Sequence, residues 1–247
     1  MNLTIDSDIA VLQMDRPPVN AMNSEFLLGL ETAWQQACDA GARGVVISGR
    51  EGLFSAGLDV PALLELSAEG VFGFWQVFFR VVGRLGGSPV PVVAAITGHA
   101  PAGGAVLALH CDYRVATRGE YRIGLNEVQV GLPVPAGILQ VLQSVVGERQ
   151  AARLAMTGAL VTPEEALCLG LVDELTDEGG AVQAAQTWLS TLLELPPVAM
   201  NTTRLAAKAT LTAQAQFADQ CAREATDYWL SEETQRTMQA LAASLGK

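Results

Sequence analysis

The 247-residue sequence predicts an α/β fold whose strands pair mainly in parallel. Short β-branched segments alternate with amphipathic helical patterns as far as about Leu195, which is typical of parallel sheets crossed by helices. Half of the residues are apolar and only 17% are charged, so the chain can bury a sizeable core and is not intrinsically disordered. Its length corresponds to one or two domains.

The predicted elements follow one another along the chain. Four segments rich in apolar and β-branched residues are predicted as strands: Ile9–Met14, Gly44–Ser48, Val90–Thr97 and Tyr113–Thr117. Helices are predicted to begin at Ser24, after which apolar residues recur at helical spacing, and near Gly103. The last part of the sequence is rich in Ala and Gln and predicts helices. We therefore expect a core in residues 1–195 and a helical region in residues 196–247.

The charge balance excludes several classes of partner. The chain has 15 basic and 26 acidic residues and a net charge of −11, whereas a nucleic-acid-binding protein needs a basic face and an anionic membrane attracts basic segments. The uncharged stretch Leu85–Cys111 is interrupted by three prolines and five glycines, so it does not resemble a membrane-spanning helix. The N-terminus has no signal-peptide pattern. We expect a cytoplasmic protein without nucleic-acid or membrane partners.

Several strong functional motifs are absent from the sequence. The four cysteines are widely spaced without a CxxC pair, and neither histidine stands at metal-ligand spacing from a cysteine. We therefore expect free thiols and no metal site. The sequence also lacks GxGxxG, GxxxxGKS/T, HExxH and GxSxG, which argues against a nucleotide-binding loop, a zinc protease and a serine hydrolase.

The segment Phe54–Asp59 (FSAGLD) is the first candidate for a ligand-binding turn. It follows the predicted strand Gly44–Ser48, and its small residues and glycine let a ligand approach the backbone closely. Asp59 precedes Pro61, an order that predicts a helix start with an acidic cap. The N–H of Leu58 would then be unpaired and able to point at a ligand. An ordinary strand-to-helix loop would show the same pattern.

The segment Gly98–Leu107 follows a predicted buried strand and opens into an apolar helix. The first N–H groups of a helix lack intrahelical partners and carry the positive end of its dipole. Gly103 and Gly104 would let a developing oxyanion approach those groups. A close packing contact that needs glycine is the alternative interpretation.

The segment Ile123–Pro133 contains Glu127, which is the only charged residue between Arg122 and Glu148. A carboxylate among Ile, Leu, Val and Gly has its charged form disfavoured by desolvation, which raises its pKa. A pKa nearer to neutral suits proton transfer. A glutamate in a solvated loop is the alternative interpretation.

In this order, the segments resemble the crotonase family, which is also called the enoyl-CoA hydratase/isomerase family. The resemblance runs from about Ile9 to Val172 and rests on the motifs DRPPVNAMN, FSAGLD, GHAPAGGAVLALHCDYRV, IGLNEVQVG and TGALVTPEEALCLGLVDEL. It implies a spiral of ββα units, followed by a C-terminal helical region used to assemble a trimer or a dimer of trimers. It also implies an acyl-CoA thioester substrate and no separate cofactor, because coenzyme A is part of the substrate.

The resemblance assigns roles to residues at matching positions. The oxyanion-stabilising N–H groups of the family correspond to those of Leu58 and Gly103, and the catalytic base corresponds to Glu127. The segment that contacts CoA in the family corresponds to residues 55–59. Four residues of this segment are predicted to bind substrate: Ser55, Ala56, Gly57 and Asp59. Asn126 is predicted to line the substrate pocket.

One departure from the hydratase pattern indicates the reaction. Hydratases of this family use two glutamates, and the corresponding positions here hold Val106 and Glu127. One carboxylate is poorly suited to activating water on one side and delivering a proton on the other, but it can carry out a 1,3-proton shift. The amino-acid sequences of the motifs also most resemble those of the isomerases in the family. The resemblance therefore implies conversion of 3-enoyl-CoA to 2-trans-enoyl-CoA in fatty-acid β-oxidation.

The sequence leaves several interpretations open. The same site would support hydration, thioester hydrolysis or decarboxylation, because the family changes its chemistry around a common enolate site. A non-catalytic acyl-CoA binder is a further alternative, against which the carboxylate of Glu127 argues. The aromatic run Phe72–Phe79 belongs either to the acyl pocket or to the core. Lys208 and Arg204 are candidate contacts to the phosphates of CoA.

Overall fold

The computed structural model describes residues 1–209 and 218–245. Within them, six strands form a main sheet: β1 (Asn2–Asp6), β2 (Ile9–Gln13), β3 (Gly44–Ser48), β5 (Val92–Ile96), β7 (Tyr113–Thr117) and β9 (Glu174–Thr176). They are neighbours in that order. The β1–β2 pair is antiparallel, and each later pair is parallel. The predicted α/β fold with mainly parallel pairing is confirmed, as are the four predicted strands.

Three short strands of the described residues form a second, parallel sheet: β4 (Gly52–Leu53), β6 (Gly98–Pro101) and β8 (Ile123–Gly124). Each follows a strand of the main sheet, namely β3, β5 and β7, and each is followed by a helix. The chain thus repeats a ββα unit. Strands β4 and β6 approach each other closely at Gly98. A Cβ on this residue would lie 1.9 Å from the carbonyl carbon of Gly52, so only glycine fits there.

The described helices are α1 (Ser24–Asp39), α2 (Val60–Leu64), α3 (Ala68–Gly86), α4 (Gly103–Leu109), α5 (Ala136–Val146), α6 (Glu148–Thr157), α7 (Pro163–Leu169), α8 (Ala181–Leu193), α9 (Pro197–Ala207), α10 (Ala218–Trp229) and α11 (Glu232–Leu245). A 3-10 helix spans Glu127–Val130. Both predicted helix starts are confirmed; Asn23 caps α1 by accepting the N–H of Phe26 at 2.9 Å. The strand β1 has no apolar pattern to predict it, because four of its five residues are exposed.

The central strands of the main sheet, β3 and β5, are buried on both faces. Alternate residues of β3 and β5 pack against α1, α3 and α4 on one face and against α8 on the other. Every residue of β3 and β5 is buried. The segments that leave the carboxyl ends of these strands are therefore held on a rigid support.

The C-terminal helices pack against the core of their own chain. Trp229 of α10 is 1% exposed, and its ring centroid lies 6.5 Å from that of Trp75 in α3. Helix α11 contacts α2 and the 3-10 helix, whereas no residue of α9 is buried as a whole, although the side chain of Arg204 is 8% exposed. The helices predicted for residues 210–217 and 246–247 lie outside the described residues. Among the residues described, we find no helical segment with the length and hydropathy needed to traverse a bilayer.

Candidate active site

A cavity of about 590 Å³ lies where β6, α2, α3 and α11 meet. Its wall is mainly apolar, and Arg16 is the one basic residue of the described lining. Six of the predicted site residues line it: Ala56, Leu58, Asp59, Gly103, Asn126 and Glu127. Ser55 and Gly57 do not. The three segments singled out in the sequence therefore meet at one cavity.

Two backbone hydrogen bonds flank the N–H of Leu58, which has no acceptor of its own among the described residues. Met22 donates its N–H to the carbonyl of Gly57 at 2.8 Å and accepts the N–H of Asp59 at 2.9 Å. These bonds hold the peptides on either side of Leu58 in the cavity wall. Within the described part of the chain, the N–H of Leu58 has no acceptor.

A second unpaired N–H belongs to Gly103, the first residue of α4. The first N–H groups of a helix have no intrahelical acceptor, and no described residue supplies one here. The preceding residue, Ala102, has φ +45° and donates its N–H to the carbonyl of Gly124 at 2.8 Å. Left-handed backbone costs a non-glycine residue roughly 1–3 kcal/mol, so the surrounding structure imposes the shape of this turn.

Gly57 brings the two turns into contact. It has φ +90°, and a Cβ on it would lie 3.2 Å from the nitrogen of Gly103 and 3.1 Å from the Cβ of Ala102. Because Gly57 has no side chain, the space beside the N–H of Gly103 stays open. Two N–H donors without partners on touching turns are suited to hold an oxygen atom that gains negative charge.

Ser55 lies behind the turn, outside the cavity. Its hydroxyl donates to the carbonyl of Asn20 at 2.8 Å and accepts the N–H of Gly57 at 3.1 Å, and the residue is fully buried. Because the hydroxyl has both partners inside the protein, the structure gives Ser55 a role in holding the turn, in place of the substrate contact predicted from the sequence.

Asn20 is a site residue that sequence reasoning missed. It is fully buried with φ +50°, and its amide donates to the carbonyls of Met14 and Phe54 at 3.2 and 3.0 Å. Its side-chain oxygen accepts the N–H of Arg16 at 2.7 Å. Asn20 therefore locks the DRPPVNAMN loop onto the FSAGLD turn. An asparagine in a proline-rich turn was the available signal, because asparagine tolerates left-handed backbone.

Asp59 lines the cavity with its carboxylate already paired. It accepts the N–H of Ala62 at 3.3 Å, which caps α2 as predicted. Its other oxygen lies 2.7 Å from the guanidinium of Arg16. The two opposite charges cancel at this side of the cavity. Asp59 therefore forms part of the cavity wall without adding net charge to it.

Glu127 begins the 3-10 helix and is 7% exposed. Its Oε2 atom and the Oδ1 atom of Asn126 are buried without a hydrogen-bond partner in the described structure. Burial raises the pKa of Glu127 to about 7, as its apolar neighbours predict. Val106, which is 1% exposed, lines the same cavity. A carboxyl group with this pKa can both accept and return a proton near neutral pH.

The aromatic run of α3 contributes to both the cavity and the core. Trp75 and Phe78 line the cavity, whereas Phe74 packs only in the core. Met238 and Leu241 of α11 line the cavity as well. Sequence reasoning missed this contribution of α11, because a helical pattern does not show which distant surface its apolar face will cover.

Arg204 and Lys208, the candidate contacts to CoA phosphates, have partners within the chain. Arg204 binds both carboxylate oxygens of Asp112 at 3.1 and 3.2 Å. Lys208 binds the same carboxylate and the carbonyl of His110, each at 3.0 Å. The side chains of Arg204 and Lys208 are 8% and 12% exposed. The two cations therefore fasten the C-terminal end of α9 to the core.

The repeated ββα unit, with a ligand-sized cavity at its turns, is the crotonase fold, as the resemblance implied. The chain belongs to the enoyl-CoA hydratase/isomerase family, whose sequence pattern matches residues 4–243.

Known members of the family are similar over most of this chain. Human mitochondrial enoyl-CoA delta isomerase 1 is 36% identical over 199 residues, which are 79% of this chain and 66% of that protein. A putative enoyl-CoA hydratase of Thermus thermophilus is 36% identical over 201 residues, or 79% of each chain. The crystal structure of human mitochondrial delta3-delta2-enoyl-CoA isomerase superposes with a TM-score of 0.94 at 31% identity and covers 99% of this chain and 97% of that one. The chain spans about two thirds of the length of the human relative.

Proposed function

We propose that this protein is an isomerase that moves the double bond of a 3-enoyl-CoA thioester to the 2-trans position in fatty-acid β-oxidation. The observation that carries the proposal is a single buried carboxyl group, Glu127, in an apolar cavity beside two unpaired N–H groups. The isomerase names of the human relatives support it. Coenzyme A is part of the substrate, and the reaction needs no further cofactor.

The reaction is a proton transfer between two carbons. The Glu127 carboxylate takes a proton from C2 of the substrate, and the electron pair moves into the thioester to form a dienolate. The protonated Glu127 then returns the proton to C4, so that the double bond lies between C2 and C3 and the thioester carbonyl re-forms. No water is consumed. A pKa of about 7 suits Glu127 to both steps.

The N–H groups of Leu58 and Gly103 would form the oxyanion hole for this dienolate. They are held by backbone contacts on turns that already have their shape, so they need no reorganisation when charge develops on the thioester oxygen. Removal of one donor from such a site typically costs about 100- to 1000-fold in kcat. This stabilisation would be the largest single contribution of the protein to the rate.

Val106 separates this proposal from a hydratase. By resemblance, a hydratase carries a second glutamate at this position, and the side chain here is apolar and 1% exposed. In the described lining of the cavity, the carboxylate of Asp59 is paired with Arg16, so Glu127 is the one unpaired carboxyl group that could activate a water. A hydratase is the second candidate, because the Thermus thermophilus relative carries that name.

The test of the proposal compares two substrates. Purified protein is given a 3-enoyl-CoA and, separately, a 2-enoyl-CoA in water, and formation of the conjugated thioester and of the hydroxyacyl product is followed. We expect conversion of the first and negligible hydration of the second. Glu127→Gln should abolish most of the turnover while acyl-CoA binding stays nearly unchanged. Rapid hydration by the wild type, or a fully active Glu127→Gln variant, would exclude this proposal.

A complementary substitution adds the missing carboxyl group. Val106→Glu is expected to gain hydration of 2-enoyl-CoA, and Val106→Gln, of similar size, serves as the matched control. If both variants hydrate equally well, the second carboxylate is not what distinguishes the two activities.

Assembly and location are further parts of the proposal. The resemblance supports a homotrimer or a dimer of trimers, which light scattering of the purified protein tests directly. Cytoplasmic location is part of this proposal, whereas the named human relative is mitochondrial. Fractionation of cells that produce the protein tests the location.

A further inference from the structure

Helix α11 meets the segment that carries Glu127. Thr234 is 1% exposed, and its hydroxyl donates to the carbonyl of Gly131, 103 residues earlier in the chain. Gly131 ends the 3-10 helix, with φ +75°. The hydroxyl of Ser231 donates to Thr234 Oγ1 at 3.1 Å. The Thr234 hydroxyl thus accepts one hydrogen bond and uses its own proton on Gly131.

A single peptide group connects this contact to Glu127. The peptide between Gly131 and Leu132 offers its carbonyl to Thr234, and its N–H donates to the carbonyl of Glu127 at 3.0 Å. A peptide group is planar and rigid, so movement on its Thr234 side moves its Glu127 side. Helix α11 also packs directly on the glycine, because a Cβ on Gly131 would lie 3.2 Å from Thr237 Oγ1.

We propose that Thr234 is a positioning residue for Glu127, and that α11 thereby belongs to the catalytic unit. The inference rests on the proposed function, in which Glu127 is the base. No described residue hydrogen-bonds Glu127 Oε2, so the position of this oxygen depends strongly on the backbone to which the side chain is attached. The same helix places the apolar side chains of Met238 and Leu241 in the wall of the cavity that Glu127 lines.

The charged residues of α11 do not cause the raised pKa of Glu127. The charged residues at the start of this helix are exposed: Glu232, Glu233 and Arg236. The other charged side chains of the cavity lining, Arg16 and Asp59, are paired at 2.7 Å. Burial is what raises the pKa of Glu127 to about 7. A displaced 3-10 helix that admits water would therefore lower this pKa towards its ordinary value.

The experiment removes one hydroxyl group. Thr234→Val keeps the side-chain shape and deletes the donor, whereas Thr234→Ser keeps the donor. Thr237→Val is the matched control, because Thr237 lies beside the same glycine on the same helix but its hydroxyl donates to the backbone carbonyl of Glu233 at 2.9 Å. We expect Thr234→Val to lose roughly 10- to 100-fold in kcat, as for a misplaced catalytic group. Thr234→Ser and Thr237→Val should stay within about threefold of the wild type.

A second measurement does not depend on which reaction the protein catalyses. The carboxyl stretch of protonated Glu127, identified as the infrared band that Glu127→Gln lacks, is titrated in each folded variant. We expect its midpoint to fall by about one pH unit or more in Thr234→Val and to stay unchanged in Thr237→Val. A merely stabilising role would lower the melting temperature without moving this midpoint.

Two results would overturn the inference. One is a Thr234→Val protein with wild-type kcat and a wild-type Glu127 titration. The other is an equal loss in Thr237→Val, which would assign the effect to packing of α11 in general. If Thr234→Val does not fold, Ser231→Ala tests the same contact by removing the donor that orients the Thr234 hydroxyl, and it must shift the midpoint in the same direction. Failure of isomerisation itself, with the midpoint shift intact, would count against the proposed function and not against this inference.

Discussion

Substitution of Gly57 tests whether the space between the two turns is essential for catalysis. In Gly57→Ala, the new methyl carbon would lie 3.2 Å from the nitrogen of Gly103 and 3.3 Å from the carbonyl oxygen of Pro101. An oxyanion has to approach each donor to about 2.7–3.1 Å. The methyl group and the thioester oxygen would therefore compete for the space beside the same N–H group.

The magnitude follows from two separate effects. Alanine at φ +90° is strained by about 1–3 kcal/mol, which lowers the free energy of unfolding but leaves a typical domain folded. Loss of one oxyanion donor costs about 100- to 1000-fold in kcat. We therefore expect a folded protein with kcat reduced by at least about 100-fold and with a smaller change in acyl-CoA affinity.

A matched glycine separates strain from occlusion. Gly41 has φ +88°, and a Cβ on it would meet nothing within 4 Å. Gly41→Ala should therefore lose similar stability in thermal unfolding and keep wild-type kcat in the 3-enoyl-CoA assay. The steric argument fails if Gly57→Ala retains kcat within about threefold of the wild type, or if Gly41→Ala loses as much activity as Gly57→Ala.

Three further predictions concern buried polar groups. Burial raises the pKa of Glu127 from 4.5 to about 7, so the folded state holds a proton that the unfolded chain has released. The stability of the wild type relative to Glu127→Gln should therefore fall by up to about 3 kcal/mol as the pH rises from about 4.5 to 7, while kcat/KM of the wild type rises through pH 7. Ser55→Ala should cost about 1–3 kcal/mol of stability, because two buried groups lose their partner, and should also lower kcat. Asp112→Asn should cost about 3–5 kcal/mol, because two nearly buried cations lose their carboxylate, with unchanged acyl-CoA affinity.

Each of these predictions is checked by denaturant unfolding beside a matched control. Ser7→Ala, which removes an exposed hydroxyl bound only to a neighbouring side chain, should leave both stability and kcat unchanged. Asp8→Asn breaks an exposed pair with Arg43 and should cost less than about 1 kcal/mol. A weaker affinity for acyl-CoA in Asp112→Asn would reopen a phosphate-binding role for the cations on α9. A pH-independent difference between wild type and Glu127→Gln would contradict the raised pKa.

The order of elements and the three site segments were predictable because they depend on local patterns. Buried strands such as β3 and β5 are continuous apolar runs, and helix starts such as Gly103 follow from turn residues and apolar spacing. Glu127 was recognisable because a single carboxylate in an apolar stretch is rare and costly. These features need only the residues within a few positions of each other.

The tertiary structure decided how distant groups are paired. Ser55 was predicted to contact substrate, but the carbonyl of Asn20, 35 residues away, occupies its hydroxyl. Arg204 and Lys208 were candidates for phosphate contacts, and the structure pairs them with Asp112, 92 and 96 residues away. A polar side chain binds whichever partner the fold brings within about 3 Å, and the sequence pattern carries no information on that distance.

The sequence by itself therefore determined the chemistry available in this protein: small turns with free N–H groups and one carboxylate in apolar surroundings. Only the tertiary structure decided what holds those groups in place and what closes the cavity, including the contact of Thr234 with Gly131. The physical reason is that backbone propensity and hydrophobic periodicity act over one or two helical turns, whereas burial and hydrogen bonding across the fold depend on segments about 100 residues apart.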